Sequence, residues 1–392
     1  MLRKIRLTDF KSFVDEEVAL APLTLLVGAN ASGKSNFLDA IRFLHGLSRN
    51  LTLAEVLNGE ESTGSDRWPG IRGRAEESAR VGTESFSIES TWLAPSQEIR
   101  HQLVCQPRPL AVVREENLWK GDQCLSAQLN LPGELSVRLS GGSRRRLSGQ
   151  KSLVTDPVVQ LNFSTSSRKD FEIVKNFSEV FSEVRLLEIQ PARMREYGRL
   201  GAPLGNEGKN LSGTLATLCR DSETRKSLVS WLREVCAPEL EDIDFAEVQE
   251  LGDVMAIFVE KGGARISARS ISDGTLRFLG TLLALRIAQP GEVILIEEIE
   301  EGLHPTRIHL LVEFLESVVR EREIQVIATT HSPVVLQWLS PQALRDVIVF
   351  GRVPDREGTL MQRLGDLPHV DEVIKRKGIE ELFTTGWLEM AL

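Results

Sequence analysis

The sequence predicts an α/β protein with a mixed sheet, an antiparallel β subdomain and an inserted α-helical region. Near its start, an apolar run over 23–27 leads through a glycine-rich loop into a helical pattern. Between 274 and 350, predicted helices and strands alternate, which is the order of a parallel α/β sheet. Residues 84–140 hold short runs in which apolar and polar residues alternate, as in antiparallel strands joined by turns.

Composition and charge narrow the class of protein. The chain has 392 residues, 41% of them apolar and 26% charged, which is enough for one large or two ordinary domains. Its formal net charge of −9 means that any contact with DNA needs a local basic patch or a partner. There is no signal-peptide pattern and no apolar run of roughly 18 residues, so we expect a cytoplasmic protein that does not enter the membrane. The cysteines are widely spaced and predict neither a metal site nor disulfides: Cys105, Cys124, Cys219 and Cys236.

The first motif is the loop over 28–35. Alternation over 2–28 predicts two or three strands that lead into this loop, and a helix is predicted over 34–48. The pattern G-x-x-x-x-G-K-[ST] between a strand and a helix indicates a phosphate-binding loop. Glycines let backbone amides converge on phosphate oxygens, Lys34 supplies a positive charge, and Ser35 can bind Mg²⁺. The residues predicted to bind nucleotide here are Gly28, Asn30, Ser32, Gly33, Lys34, Ser35 and Asn36.

The middle of the chain is predicted from periodicity and composition. Residues 58–80 predict a loop, and 141–146 predict a basic hairpin tip or loop. The arginines of this tip are explained equally well by a solvated turn and by contact with nucleic acid or a partner. The other predicted elements are helices over 169–184 and 210–236, a strand over 184–189 that ends before Pro191, and a strand–turn–strand unit over 242–269 with its turn at 262–263.

A second group of candidate residues follows two buried strands near the end of the chain. The apolar run 293–296 ends in Glu297 and Glu298, and ligands bind at the carboxyl ends of parallel strands. The first acid can hold Mg²⁺ and the second can polarise a water that attacks a γ-phosphate. Because Glu300 and Glu301 follow, a plain acidic loop is the alternative.

A histidine and a helix start complete this group. The apolar run 324–328 leads to His331, which we expect at the same sheet edge, either contacting the γ-phosphate or acting only as a satisfied hydrogen-bonding group. Ser272 or Asp273 is predicted to cap a helix over 274–288. That segment alone predicts only a well-capped helix, although its N-terminal amides form a potential anion site.

In this order, the motifs resemble the ABC-type ATPase heads of the RecF, SMC and OLD-family group. The residues that carry the resemblance are the phosphate-binding loop, I-S-x-G-x-x-R at 271–277, the acid pair, Leu303-His304-Pro305, T-T-H-S-P at 329–333, and the segments 9–13 and 33–41. Residues 203–211 resemble stand-alone bacterial members that accompany a second gene. The resemblance covers about 1–45 and 185–340, and implies a P-loop NTPase fold. We expect an N-terminal lobe over 1–165, a helical insertion over 166–240 and a C-terminal lobe over 241–392.

The resemblance also implies a mechanism that uses ATP and Mg²⁺. Two heads would pair head to tail, so that Ser272 and Gly274 of one copy close over the γ-phosphate held by Gly28, Lys34 and Ser35 of the other. The remaining implied roles are Glu297 as the Mg²⁺-side acid, Glu298 as the hydrolytic acid, His331 as the switch histidine and 302–305 as the loop that crosses the interface.

The chain departs from the family pattern at the acid pair. The family usually has Asp, Glu and Pro where this chain has Glu297, Glu298 and Ile299, so the geometry around the metal is open to question. The glutamine that family members carry in their Q-loop is not assigned from the sequence. Arg72 and Arg74 are candidates for an arginine that reaches phosphate.

Spacing separates the possible functions. About 240 residues lie between Lys34 and Gly274, far more than the interval that the resemblance implies for transporter ATPases. The absence of long heptads and of C-x-x-C disfavours chromosome condensation and zinc-hook repair, and the 61 residues after His331 are too few for a nuclease domain of the OLD type. The leading hypothesis is an ATPase whose ATP-dependent dimer or higher oligomer controls a separate nuclease or toxin, in anti-phage defence, with a docking helix in 371–388.

Two alternatives stay open. One is a RecF-like repair ATPase that binds DNA through Arg144–Arg146 and Lys151. The other is a nucleotide-gated scaffold with little turnover.

Overall fold

The structure, a computed structural model, describes residues 1–61, 67–94, 97–131, 133–139, 142, 144–155, 168–235, 238–248, 250–354 and 356–392. The strands are β1 (Leu2–Thr8), β2 (Asp15–Ala19), β3 (Leu23–Val27), β4 (Phe86–Leu93), β5 (Glu98–Gln106), β6 (Val112–Lys120), β7 (Gln123–Leu131), β8 (Glu134–Arg138), β9 (Arg144–Ser148), β10 (Val184–Leu187), β11 (Gly198–Arg199), β12 (Leu240–Val248), β13 (Asp253–Glu260), β14 (Arg265–Ser267), β15 (Val293–Ile296), β16 (Gln325–Thr329), β17 (Ile348–Gly351) and β18 (Leu360–Arg363). The α-helices are α1 (Lys34–Leu47), α2 (Leu53–Asn58), α3 (Arg168–Ser182), α4 (Pro191–Met194), α5 (Leu211–Leu218), α6 (Ser222–Val235), α7 (Asp273–Ile287), α8 (Ile308–Arg322), α9 (Pro333–Trp338), α10 (Pro341–Arg345), α11 (Val370–Lys377), α12 (Ile379–Thr384) and α13 (Trp387–Met390).

The central sheet positions the candidate site. Its strand order is β10-β15-β16-β3-β17-β18, parallel from β10 to β17, with β18 antiparallel at the edge. Along β15, Val293 and Leu295 face the core shared with α1, whereas Ile294 and Ile296 face the core shared with α7 and α8. Burial on both faces explains why these strands are continuous apolar runs in the sequence.

A second sheet of eight antiparallel strands, in the order β2-β1-β4-β5-β6-β7-β8-β9, packs against α1 and α3. It confirms the antiparallel prediction for 84–140. A smaller sheet formed by β11, β13 and β12, with β14 beside β13, corresponds to the strand–turn–strand prediction for 242–269.

Several predicted boundaries differ from the structure. The helix predicted over 210–236 is two helices, because the Asp221 side chain accepts from the Thr224 amide and starts α6 anew. The predicted helical insertion over 166–240 also supplies β10, a strand of the central sheet. The predicted boundary at 165 lies outside the described residues, as do Cys236 and positions 141 and 143 of the basic tip. Arg144–Arg146 begin the edge strand β9 rather than forming a turn.

The tail of the chain packs on its own head. The predicted docking helix over 371–388 is a series of short helices, and Ile379, Leu382 and Leu388 are buried in the core beneath the central sheet. These apolar side chains are therefore covered by the head, whereas Asp371, Glu372 and 375–377 of α11 are exposed. A docking role for this segment stays a prediction. Within the described residues, no helix is long and apolar enough to cross a membrane.

A buried polar network joins the antiparallel sheet to the segment that follows β9. The Glu116 carboxylate accepts from His101 Nε2 at 2.9 Å, from Ser152 Oγ at 2.6 Å and from the Leu153 amide at 2.7 Å. His101 and Glu116 are fully buried, and His101 packs against the ring of Phe181 on α3. Loss of the carboxylate would leave several buried donors without a partner.

Glu116→Ala should therefore lower the free energy of unfolding by about 3 kcal/mol or more, since each buried group left unsatisfied costs about 1–3 kcal/mol. Denaturant titration followed by circular dichroism measures this change. Glu98→Ala, at an exposed position on the neighbouring strand β5, is the control and should stay within about 0.5 kcal/mol of the parent. Equal stabilities for the two variants would contradict the structural role of the network.

Candidate nucleotide-binding site

The loop between β3 and α1 needs its glycines for steric reasons. Gly28 has φ 144°, and a Cβ there would lie 2.2 Å from the carbonyl oxygen of Phe350 on β17. Gly33 has φ 112°, and its Cβ would meet Thr359 at 2.7 Å. Both positions combine a left-handed backbone with a close neighbour, so a side chain at either one would distort the loop.

The polar groups of this loop fit a phosphate. Lys34 Nζ donates to the carbonyl oxygens of Gly28 at 2.6 Å and Ala29 at 2.9 Å, which folds the ammonium across the loop. Ser32 Oγ is buried without a hydrogen-bond partner. Burial lowers the pKa of Lys34, and the nearby carboxylates of Glu389 and Glu298 oppose that shift. A partly desolvated cation and an unsatisfied hydroxyl are groups that a phosphate anion would satisfy.

The other predicted residues of the loop have different surroundings. Asn30 is exposed at the loop, and Ser35 lies in the first turn of α1. Asn36 Nδ2 donates to Ser12 Oγ at 2.8 Å, so its side chain ties α1 to the hairpin before β2. Nucleotide contact by Asn36 stays a prediction.

The acids and the histidine meet at the carboxyl edge of the central sheet, as expected. Glu298 has φ 49°, and its amide donates to Thr329 Oγ1 at 2.9 Å. The His331 amide donates to Glu300 Oε1 at 2.8 Å, and His331 Nε2 lies 4.0 Å from Glu298 Oε1. A left-handed backbone at a non-glycine residue costs of order 1 kcal/mol and persists where its surroundings hold it.

Glu297, the predicted Mg²⁺-side acid, forms an ion pair with Arg72. Arg72 Nε also lies 3.2 Å from Asp39 Oδ1, and Asp39 accepts from Lys11 Nζ at 2.5 Å. Burial would lower the pKa of Arg72, but Asp39 and Glu297 outweigh it and hold the pKa above its ordinary value. Arg72 is thus paired with the predicted Mg²⁺-side acid, whereas Arg74 is an exposed residue outside this ion-pair chain.

The segment around Ser272 is attached to the loop that follows the acids. Ser272 Oγ caps α7 by accepting from the Thr275 amide at 3.2 Å. A Cβ at Gly274 would lie only 2.1 Å from the Gly302 carbonyl oxygen, so glycine is required here by a contact within one chain. Arg277 Nη1 adds an ion pair with Glu301 at 2.9 Å.

Gln190 is a site residue that the sequence reasoning missed. It follows β10, the parallel neighbour of β15, and therefore lies at the same sheet edge as the acids. It lines a cavity of about 490 Å³ together with Arg72, Glu297 and Glu298. The sequence signal that could have identified Gln190 is its position directly after a predicted strand and before Pro191. Gln190 is the best candidate for the unassigned glutamine.

This fold and edge arrangement define a P-loop ATPase head of the ABC and SMC type. The family described as "AAA domain, putative AbiEii toxin, Type IV TA system" matches residues 123–337, more than half of the chain, and the family described as "AAA ATPase domain" matches 1–90. The chain belongs to the first of these families.

The chain is also similar to known proteins, and the first of the structures below supports the fold. An SMC head bound to the C-winged helix domain of ScpA has a TM-score of 0.53 and 13% identity, covering 93% of this chain and 98% of that chain. The SMC head domain from Thermotoga maritima has a TM-score of 0.46 and 13% identity, covering 92% and 98%. The chromosome partition protein Smc of Thauera aminoaromatica is 44% identical over 61 residues, which span 15% of this chain and 5% of that protein.

The Arg72–Glu297 pair predicts a measurable competition with Mg²⁺. Arg72→Ala should lower the Mg²⁺ concentration for half-maximal binding of a fluorescent ATP analogue by about two- to fivefold, because a half-exposed ion pair contributes at most about 1 kcal/mol. Arg74→Ala is the control and should not change it. If Arg72 binds phosphate instead, Arg72→Ala would weaken nucleotide binding even at saturating Mg²⁺. This result would contradict competition between Arg72 and Mg²⁺ for Glu297.

Proposed function

We propose that this chain binds and hydrolyses ATP with Mg²⁺, and that ATP joins two copies head to tail. The observation that supports this best is the convergence of the phosphate-binding loop, the acid pair and His331 at one sheet edge. The contacts described for 272–274 go to Arg195, Thr275 and Gly302 rather than to 28–35. This segment is therefore free to serve a nucleotide on a second copy.

Each residue has a chemical role in this proposal. Lys34 and the loop amides bind the phosphates, while Ser35 and Glu297 would hold Mg²⁺, which neutralises phosphate charge when bound. The backbone of Glu298 is held by its amide bond to Thr329 Oγ1, and the Glu298 carboxylate accepts a proton from the attacking water. His331, beside Glu298, can donate to an oxygen at the γ-phosphate position.

Glu298→Gln tests both hydrolysis and assembly. We expect the turnover of ATP to fall at least about 100-fold, because positioned general bases contribute about 10²–10⁴-fold. The variant should accumulate as an ATP-bound dimer or larger oligomer, measured by light scattering after size-exclusion chromatography. Glu313→Gln makes the same chemical change at an exposed position on α8 and should behave as the parent.

Two results would argue against this function. If the parent binds ATP without turnover and Glu298→Gln behaves identically, the chain is a nucleotide-gated scaffold. If Glu298→Gln stays monomeric with bound ATP, head-to-tail assembly is wrong.

We further propose that the ATP-bound assembly controls a separate effector, a nuclease or toxin, in anti-phage defence. The family description names a putative toxin of a toxin–antitoxin system, and the similar SMC head structure is described as bound to the domain of another protein. Because Ile379, Leu382 and Leu388 pack in the chain's own core, an apolar contact with the partner would use other side chains.

Expression with the neighbouring genes tests this partner. We expect a tagged Glu298→Gln chain to retain one neighbouring gene product at a defined stoichiometry, at least severalfold more than a Lys34→Ala chain that cannot bind ATP, as measured by quantitative mass spectrometry. Equal recovery with both chains would contradict ATP control. Full biological activity of the chain expressed alone would contradict the need for an effector.

A further inference from the structure

An exposed arginine lies beside the segment that starts α7. Arg269 belongs to the short turn Ala268–Ser270, three residues before Ser272. Its guanidinium carbon lies 5.0 Å from the ring centroid of Tyr197, the single tyrosine of the chain. Tyr197 is itself 47% exposed, so the two side chains form an aromatic–cation pair at the surface. Stacking of this kind contributes about 0.5–1 kcal/mol at exposed sites and orients the guanidinium.

Arg269 differs from the arginines around it by its charge balance. Arg195 pairs with Asp273 at 2.7 Å, Arg265 with Asp244 at 2.6 Å and Arg277 with Glu301 at 2.9 Å. Among the described residues, no carboxylate forms an ion pair with Arg269. Its positive charge is therefore available to an anion from outside the chain.

Arg195 holds this arginine and the start of α7 together. Its Nε donates to the Arg269 carbonyl oxygen at 3.0 Å, and its Nη2 donates to the Ile271 carbonyl oxygen and to Asp273 Oδ1, both at 2.7 Å. The backbone from 269 to 273 is thus fastened at several points. The backbone that carries Arg269 is therefore fixed relative to Ser272, and Tyr197 holds the guanidinium.

The carboxyl edge of the central sheet, where nucleotide is proposed to bind, is the surface of a second copy that would carry such an anion. The nucleotide edge carries several carboxylates and would carry a triphosphate. Its arginines Arg42, Arg72 and Arg277 already pair with Glu188, Glu297 and Glu301, so a bound triphosphate would make this edge negative. The acids there are Glu297, Glu298, Glu300 and Glu301. A planar guanidinium suits phosphate because it donates two parallel hydrogen bonds, and opposite charge across an interface favours one pairing of surfaces.

We propose that Arg269 binds the phosphates of the nucleotide held by a second copy of this chain, and that Tyr197 positions it. This inference rests on the proposed head-to-tail ATPase and adds a cation that acts between copies. Arg269 supplies positive charge to the nucleotide only when two heads are joined, so it contributes to assembly and not to the first binding of ATP.

Self-association of the full chain in the Glu298→Gln background tests the inference without relying on turnover. Arg269→Ala should weaken ATP-dependent association by at least about tenfold, as measured by sedimentation equilibrium, with affinity of the monomer for a fluorescent ATP analogue unchanged within about twofold. Arg265→Ala, which removes an exposed but ion-paired arginine four residues away, should change neither quantity. Tyr197→Phe should keep the association and Tyr197→Ala should weaken it, because only the ring is needed for stacking.

Mixing two inactive chains shows whether the arginine acts between copies. Lys34→Ala cannot bind nucleotide, but it keeps Arg269; Arg269→Ala keeps the phosphate-binding loop. A mixed pair has one complete site if Arg269 acts on the partner, so ATP turnover should rise severalfold above that of either chain alone. If Arg269 acted within its own chain, no mixed site would be complete and turnover would stay low.

The outcomes separate this inference from the proposed function. If Glu298→Gln associates with ATP and Arg269→Ala associates equally well, the inference is wrong and the proposed function stands. If Arg269→Ala lowers the monomer's affinity for nucleotide, the arginine acts within one chain and the inference is wrong. If the Glu298→Gln parent binds ATP and stays monomeric, the proposed assembly and the role of Arg269 fail together.

Discussion

The parallel register of four buried strands is the constraint on which the site depends. Leu187 pairs with Ile296, Ile296 with Ala328, and Thr329 with Leu26, so β10, β15, β16 and β3 all end at one level. β15, β16 and β3 are buried on both faces, and β10 is buried at Val184 and Leu187. A slip by one residue would exchange the side chains between two different cores. Packing of the two cores therefore fixes the positions of the phosphate loop, the acids, His331 and Gln190 along the strand direction.

A chain of ion pairs connects this edge to the N-terminal hairpin. Lys11 and Asp39 form its buried part, with side-chain exposures of 6% and 1%, and Arg72 continues it to Glu297 at the surface. Burial lowers the pKa of Lys11, and the neighbouring carboxylate of Asp39 opposes this shift. Removing one member of a buried pair costs about 3–5 kcal/mol, whereas the exposed Arg72–Glu297 link is weak and can exchange partners. The buried Lys11–Asp39 pair is therefore strongly held, whereas the exposed Arg72–Glu297 pair, at the proposed Mg²⁺ site, can separate more easily.

A second set of contacts joins the start of α7 to the same edge. Gly274 touches Gly302, Arg277 pairs with Glu301, and Arg277 also donates to the Ile189 carbonyl oxygen at 3.2 Å beside Gln190. These contacts attach the α7 start to residues 301–302, which follow Glu298, and to the backbone beside Gln190. In an assembly where a partner's nucleotide contacts Ser272, this connection would make one ATP site sensitive to the occupancy of the other.

The sequence by itself determined the features that depend on neighbours along the chain. The phosphate-binding loop, the Ser272 cap and the apolar strands before Glu297 and Thr329 follow from short patterns, because local backbone geometry and burial select them. Only the tertiary structure decided that Arg72 meets Glu297, that Gly274 is required by Gly302, that Gln190 joins the acids, and that Arg269 stacks on Tyr197. Most of these partners lie tens to hundreds of positions apart, and packing rather than sequence spacing brings them into contact. The tail shows the same limit, since its sequence predicts a docking helix over 371–388 and the fold alone determines that Ile379, Leu382 and Leu388 lie in its own core.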